Sequence, residues 1–371
     1  MQIKEQRSLS LDILRLIFIF AITGRHVCEY SGLISLVPSS HPNFFLANFL
    51  ITLQSFGIDG FFLISGYFLV KKTDCTRKII NTELMLLFYS VVIFAVAVIP
   101  SGFGGFELLR AGAKSFFPTL TQHYWYFFAY MVLLLFAPLI NRMIASLNQK
   151  ELLRLVVFCV LLISVFLSLN PFYDSLSYTG HDTHGLLWIF TLYITAAYIR
   201  LYGVKNERLM GPCLFALSFC LLFGVLLVEN NAFGLSERFP FIESVLSKIE
   251  LTERNSILSY LCMVSLFISF RSWKLKARGA LGRGFAALVP SFMGVYLFQE
   301  HELVRQWFWD TVDIPGHAAS PFLALYILAV FALLLAVAAV LYALYKWADR
   351  LFLRKLEGRL CRAADALRAK F

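Results

Sequence analysis

The sequence predicts an all-α polytopic membrane protein of about ten transmembrane helices, and three observations lead there. Of its 371 residues, 59% are hydrophobic and 15% charged, whereas soluble domains carry about 25% charged residues. The deficit comes from long uncharged runs such as 210–228 and 320–345, each near or above the roughly 20 residues a helix needs to cross the hydrocarbon core. The basic residues are also unevenly spread. Of the 33 Lys and Arg, 25 fall in segments that ten spans place on one side. That excess marks the cytoplasmic face, so both termini are expected inside.

Spans are predicted in order at about 11–30, 47–70, 82–99, 124–141, 152–169, 185–199, 210–228, 256–270, 285–303 and 320–346. Asp12, Arg15, Arg25 and His26 interrupt the first apolar stretch, so it reads as a retained first helix and not as a cleaved signal peptide. The internal segments hold Lys71, Lys72, Arg77 and Lys78, then Arg142, Lys150 and Arg154, then Arg271 to Arg283. The tail, 347–371, alternates apolar and basic residues at helical spacing and is expected to form a cytoplasmic amphipathic helix at the membrane surface. The net charge of +10 therefore faces anionic headgroups, and no nucleic-acid partner is expected. No stretch is long and polar enough for a separate soluble domain, and no internal repeat is visible. Residues 1–371 read as one transmembrane domain. The seven cysteines are scattered and mostly lie in apolar runs, which argues against a disulfide framework or a zinc site.

Chemistry concentrates in the first helix. Ionisable residues inside a span are costly and usually functional, and this one has Asp12, Arg15, Arg25, His26 and Glu29. Eleven residues separate Arg15 from His26, which returns them to within about 20° of one face and separates them by roughly 16 Å along the axis. Asp12, three residues before Arg15, can pair with it and orient the guanidinium. The arrangement suits a long ligand with an anionic head and a reactive far end, as in an acyl-CoA. The plainer alternative is an Arg15 that snorkels to the headgroups and a His26 that makes a structural helix contact. Glu29 can orient His26 or pair with Arg25 at i,i+4, and the pair is the preferred reading.

Other candidates are fewer. Asp59 stands beside Gly57 and Gly60 in the second span and needs a partner, for which His26 or Arg25 are expected. Its role is a structural ion pair or a catalytic one. Trp125, between Tyr124 and Tyr126 at a helix entrance, fits an aromatic belt better than a sugar platform. Glu300 and His301 are the other ionisable pair at membrane depth, lining an acceptor site or the interface. His181 and His184 with Asp182 have H-x-x-H spacing, but no further ligand is nearby and no metal is expected.

Four segments carry a family resemblance. "LDILRLIFIFAITGRHVCEY" resembles the opening of the membrane acyltransferase-3 family, with its L-D-x-L-R and Arg-x10-His pattern, matched by Arg15 and His26. "FGIDGFFLISGYFL" is similar to the family's second-helix segment. "HYWYFFAYMVLLLFAPLIN" resembles a helix of its polysaccharide-modifying members, and "FMGVYLFQEHELVR" is similar to a late G-x-Y-L-I-H-E helix. The chain departs from the pattern at Gln299, where many members have His; glutamine hydrogen-bonds but cannot titrate.

The resemblance implies an O-acyltransferase, expected to be an O-acetyltransferase, of the cytoplasmic membrane. It would move an acyl group from cytoplasmic acetyl-CoA or another acyl-CoA to a hydroxyl of a cell-surface polysaccharide or lipid-linked glycan. No permanently bound cofactor is implied. His26 is expected as general base, since imidazole titrates near neutrality, with Asp59 and Glu300 as further catalytic candidates. Arg15 and Asp12 are expected at the acyl-CoA, and Arg25, Trp125 and His301 at the substrate. Two other readings stay open: a transporter or glycan exporter using the same buried charges, and an acyltransferase for a lipid or peptidoglycan acceptor.

Overall fold

The computed structural model describes residues 8–169, 185–246, 249–273, 275 and 279–370. Among them no strand occurs, and helices follow one another along the chain. They are α1 (Leu9–Ser31), α2 (Pro42–Leu69), α3 (Thr76–Ala97), α4 (Gly105–Phe116), α5 (Trp125–Ser146), α6 (Gln149–Val160), α7 (Leu186–Tyr202), α8 (Glu207–Glu229), α9 (Ile257–Ser272), α10 (Gly279–Leu288), α11 (Phe292–Glu300), α12 (Glu302–Val312), α13 (Leu323–Ala348) and α14 (Arg354–Arg368). The His181–His184 motif lies outside the described residues.

Among the described residues, five helical stretches are long and apolar enough to cross a membrane: α2, α3, α5, α8 and the run Leu323–Arg368 that contains α13 and α14. Two more, α7 and α9, are apolar but shorter. The first helix is long enough at 23 residues, but Asp12, Arg15, Arg25 and Glu29 dilute its apolar character.

The continuous span expected at 285–303 is instead divided. Helix α10 ends at Leu288, a 3₁₀ turn covers Val289–Ser291, and α11 has only nine residues before His301 leaves helical geometry at ψ 128°. Pro290 explains the first interruption, because its ring removes a backbone donor and clashes with the preceding turn. At the second, the His301 side chain accepts from the Leu303 backbone N–H and caps α12. At the other end of the chain, α13 runs through a π-helical turn (Asp349–Leu353) into α14.

By packing, the chain divides into two units. The first comprises Met1–Phe68, Gln149–Pro290 and Pro315–Ile327, and the second Leu69–Asn148, Ser291–Ile314 and Leu328–Phe371.

In the first unit, α1 lies directly on α2. A Cβ at Gly57 would come within 2.8 Å of the Ala21 Cβ, and one at Gly60 would overlap the Phe18 ring. Small residues at this seam let two backbones approach, which is how helices associate where lipid removes the hydrophobic driving force. Helix α2 is apolar all round, and 78% of its most apolar stretch is buried, against 22% in α8. So α2 is central and α8 peripheral. Hydroxyls on these helices turn back to their own carbonyls, as in Thr23 to Ile19, Thr52 to Asn48 and Thr195 to Thr191. Without water, that satisfies a donor that is otherwise costly to bury.

In the second unit, the Asn141 amide donates to the carbonyls of both Leu69 and Lys72 at 2.8 Å. It thereby satisfies the chain just where α2 ends and the last helical carbonyls lack partners. Helix α14 is pinned by Arg77–Glu357 at 2.7 Å and Arg368–Asp74 at 2.9 Å. Glu357 and Arg368 lie about 16 Å apart on their helix axis, yet their partners are three residues apart in sequence. Both pairs fasten α14 to the start of α3 and to Asp74 just ahead of it.

Candidate functional site

The described site residues fall into one group in each unit. In the first, α1 is unbroken from Leu9 to Ser31, so the helical geometry relating Arg15 to His26 holds without a kink between them. Asp12 is 1% exposed and accepts from Arg15 Nη1 at 2.6 Å. The Arg15 side chain keeps 26% of its surface and lies over the Phe68 ring, 5.8 Å from its centre. A paired, oriented guanidinium with a partly open face is able to grip a phosphate. Arg25 bonds Glu29 at 2.7 Å with both side chains well exposed, so the outward ion pair is realised. His26 turns inward, 4% exposed, with its ring 5.2 Å from that of Tyr30.

Asp59 corrects one expectation. Its partners are neither His26 nor Arg25. Arg254 Nη2 bonds Oδ1 at 2.5 Å and the Trp188 indole N–H bonds Oδ2 at 3.1 Å. The register of α1 on α2 gives the reason. Phe18 meets Gly60, Ala21 meets Gly57, Gly24 meets Leu50, and the Cys28 thiol reaches the Ala47 carbonyl. The helices are antiparallel, so Asp59 lies at the level of residues 18–21, several residues and roughly 9 Å along the axis from the level of His26. Arg254 and Asp59 are 5% and 1% exposed. A pair so enclosed survives only with both partners present, and it fastens the segment ahead of α9 to α2.

Sequence reasoning missed Arg254 and Trp188. Arg254 follows Glu250 and Glu253 in a segment outside every predicted span. The one hint was that Asp59, a carboxylate inside a span, needed a partner.

In the second unit, Glu300 and His301 are enclosed at 9% and 0% exposure. Arg305 Nη2 bonds Glu300 at 3.3 Å. The His301 ring stands edge-on to that of His123 with centres 4.7 Å apart, and its Nε2 is 3.2 Å from Ser115 Oγ. Ser115 donates onward to the Ala111 carbonyl. Because Nδ1 accepts the Leu303 N–H, Nε2 carries the proton and donates to Ser115. Burial, followed by the nearby cations Lys114 and Arg305, pushes the His123 imidazole down to about 4, so it is neutral near pH 7. Gln299 is fully enclosed. Trp125 is half-buried at the start of α5 and contacts Tyr126 edge-on. Among the described residues, no group of three or more His, Cys, Asp or Glu is arranged to hold a metal ion.

The chemistry on offer is an oriented cation and an enclosed imidazole on one helix of the first unit, and an enclosed, largely neutral polar cluster in the second. Comparison with known proteins supplies the framework. The family described as "Acyltransferase domain" matches residues 8–343, a stretch holding every site residue above. No curated protein and no solved structure matches the chain. Matched over nearly its whole length by that family, the chain belongs to the acyltransferase-3 family.

Proposed function

We propose that this acyltransferase is a multi-pass O-acetyltransferase of the cytoplasmic membrane. In this reading it takes an acetyl group from cytoplasmic acetyl-CoA and delivers it to a hydroxyl of a cell-surface polysaccharide or its lipid-linked precursor. The chain spans the bilayer ten times with both termini inside. One observation carries the reading: a single unbroken helix holds a half-open, carboxylate-oriented arginine and, eleven residues on, an enclosed histidine.

Arg15, steadied by Asp12, grips the phosphates of the donor, and the pantetheine arm covers the distance of roughly 16 Å to His26. The His26 imidazole removes the proton from an acceptor hydroxyl as its oxygen attacks the thioester carbonyl. The C–S bond breaks, and the thiolate of CoA leaves and takes up a proton. Such base catalysis contributes about 10²–10⁴-fold. Asp59 acts at a distance by fixing α2, and Glu300, His301 and Trp125 belong to the acceptor side. Arg25 is paired with Glu29 at the outer end of α1. The two-part design favours transfer over transport, since Arg-to-His spacing matters for a donor that must reach from one to the other and has no comparable role in a translocation path.

The test is the O-acetyl content of the surface polysaccharide, read by proton NMR before and after mild base. A gene deletion is complemented with wild type or with His26→Ala, both checked for membrane insertion. Esters restored only by wild type support the reading. Equal ester content in all strains, the deletion included, rejects the polysaccharide acceptor. Restoration by both proteins removes His26 from the chemistry.

A further inference from the structure

The second unit carries polar groups that its own fold does not use. Gln299 on α11 is 0% exposed, and neither its amide nitrogen nor its amide oxygen has a hydrogen-bond partner among the described residues. Leaving a buried amide unpaired costs about 1–3 kcal/mol, so folding alone gives no reason for it. His123 Nε2 is likewise enclosed without a partner. The His123 ring lies 4.5 Å from that of Tyr124, which stands 6.2 Å from Tyr296, with Tyr126 6.0 Å from Tyr296. The Ser90 hydroxyl lies beside that of Tyr124, and the Ser90 backbone meets His301. Tyr296 and Gln299 are three residues apart on one helix and share a face.

The character of these groups restricts the ligand. The cations nearby are engaged by carboxylates, Lys114 with Glu302 at 2.8 Å and Arg305 with Glu300. His123 is neutral for the reason given above, and Gln299 cannot ionise. Among the described residues here, no free charge is on offer to a phosphate or a carboxylate. What is on offer is a planar amide able to donate and accept at once, an imidazole nitrogen, tyrosine hydroxyls and aromatic faces. Vicinal hydroxyls on a ring with apolar C–H faces complement that set, each bond gaining strength from the low dielectric.

We infer that the cluster of Gln299, His123, Tyr124 and Tyr296 is a binding site for an uncharged sugar residue of the acceptor, with Gln299 and His123 as its hydrogen-bonding groups. The inference rests on the reading of the protein as a glycan O-acetyltransferase and adds to it which residues hold the sugar. Glutamine at 299 suits this role, because a neutral amide recognises hydroxyls and keeps its hydrogen-bonding pattern at any pH.

The test uses the full chain in liposomes with radiolabelled acetyl-CoA. The acceptor probe is oligosaccharide prepared from the producing cell's own surface polysaccharide, with its esters removed by mild base. Wild type, Gln299→Leu and His123→Phe are compared. Each variant is expected to raise the acceptor KM at least tenfold, to leave the KM for acetyl-CoA within twofold, and to melt no lower than wild type. Leucine in place of an unpaired amide removes a desolvation penalty, so Gln299→Leu is expected to melt higher. A structural glutamine would behave oppositely, losing stability with the acceptor KM intact, and that result overturns the inference. An acceptor KM unchanged in both variants also overturns it. If wild type itself transfers no acetyl group to the oligosaccharide, the glycan reading fails first and the inference falls with it.

Discussion

The two units bury polar chemistry in different ways. In the first, an aspartate and an arginine are enclosed together, with an indole N–H completing the carboxylate's shell. In the second, an amide and an imidazole nitrogen are enclosed with no partner of their own among the described residues. A charge cannot be left as Gln299 is, because an uncompensated buried ion costs several kcal/mol. A neutral amide can, at a tolerable penalty, and it then keeps its bonding capacity for something that arrives later. The contrast separates groups that hold the protein together from groups held in reserve.

Substitutions test that division. The largest effect is expected at His26: His26→Ala lowers the transfer rate by about 10²–10⁴-fold while the protein inserts and melts normally, measured by turnover in liposomes. A comparable loss in His301→Gln would break the comparison, since His301 is assigned to a neutral, shape-keeping cluster. Next comes the buried pair. Arg254→Met is expected to destabilise by about 3–5 kcal/mol, read by chemical denaturation in detergent. Asp59→Leu combined with Arg254→Met recovers most of that loss. If the single variant is as stable as wild type, the pair is not the fastening described here.

Arg15→Gln is expected to raise the acetyl-CoA KM about 10–100-fold, the loss of a charge-assisted contact worth about 1.5–3 kcal/mol, with the acceptor KM unmoved. Arg25→Ala, by contrast, breaks an ion pair that is exposed on both sides and is expected to cost less than about 1 kcal/mol. The smallest effect concerns pH. Arg368, then the Thr76 backbone N–H, hold the Asp74 carboxyl down at about 2. A depressed carboxyl stabilises above its unfolded value near 3.8 and stops doing so as pH falls through the folded one. The protection of the α14 amides against hydrogen exchange, corrected for the intrinsic pH dependence of amide exchange, is therefore expected to be flat from pH 8 to 5 and to fall below about 4. Asp74→Asn should remove that change.

Much of this was legible in the sequence. The uncharged runs located α2, α3, α5, α8 and α13, because a membrane helix must be apolar over its length. The i,i+3 and i,i+4 spacings foretold the Asp12–Arg15 and Arg25–Glu29 pairs, which depend on one helix alone. Asp59 shows where the reading stopped. Its partners stand 129 and 195 residues away, and no local spacing encodes which distant segment a side chain meets. The interruption at 289–301 was missed for a different reason: hydropathy stays high through Pro290 and across α11, and only backbone geometry reveals the break. The closeness of His123 to His301 likewise appears only when α5 and α11 are brought together.

The cap on α12 has one more consequence. His301 uses Nδ1 to receive the Leu303 N–H and Nε2 to reach Ser115. A second proton could enter only at Nδ1, and it would unseat the first turn of α12. The ring is thus wired as a joint between two helices and not as a proton carrier. Protonating the ring therefore requires this joint to come apart, which makes His301 a coupling between α4 and α12 and leaves the acid–base work of turnover to other groups.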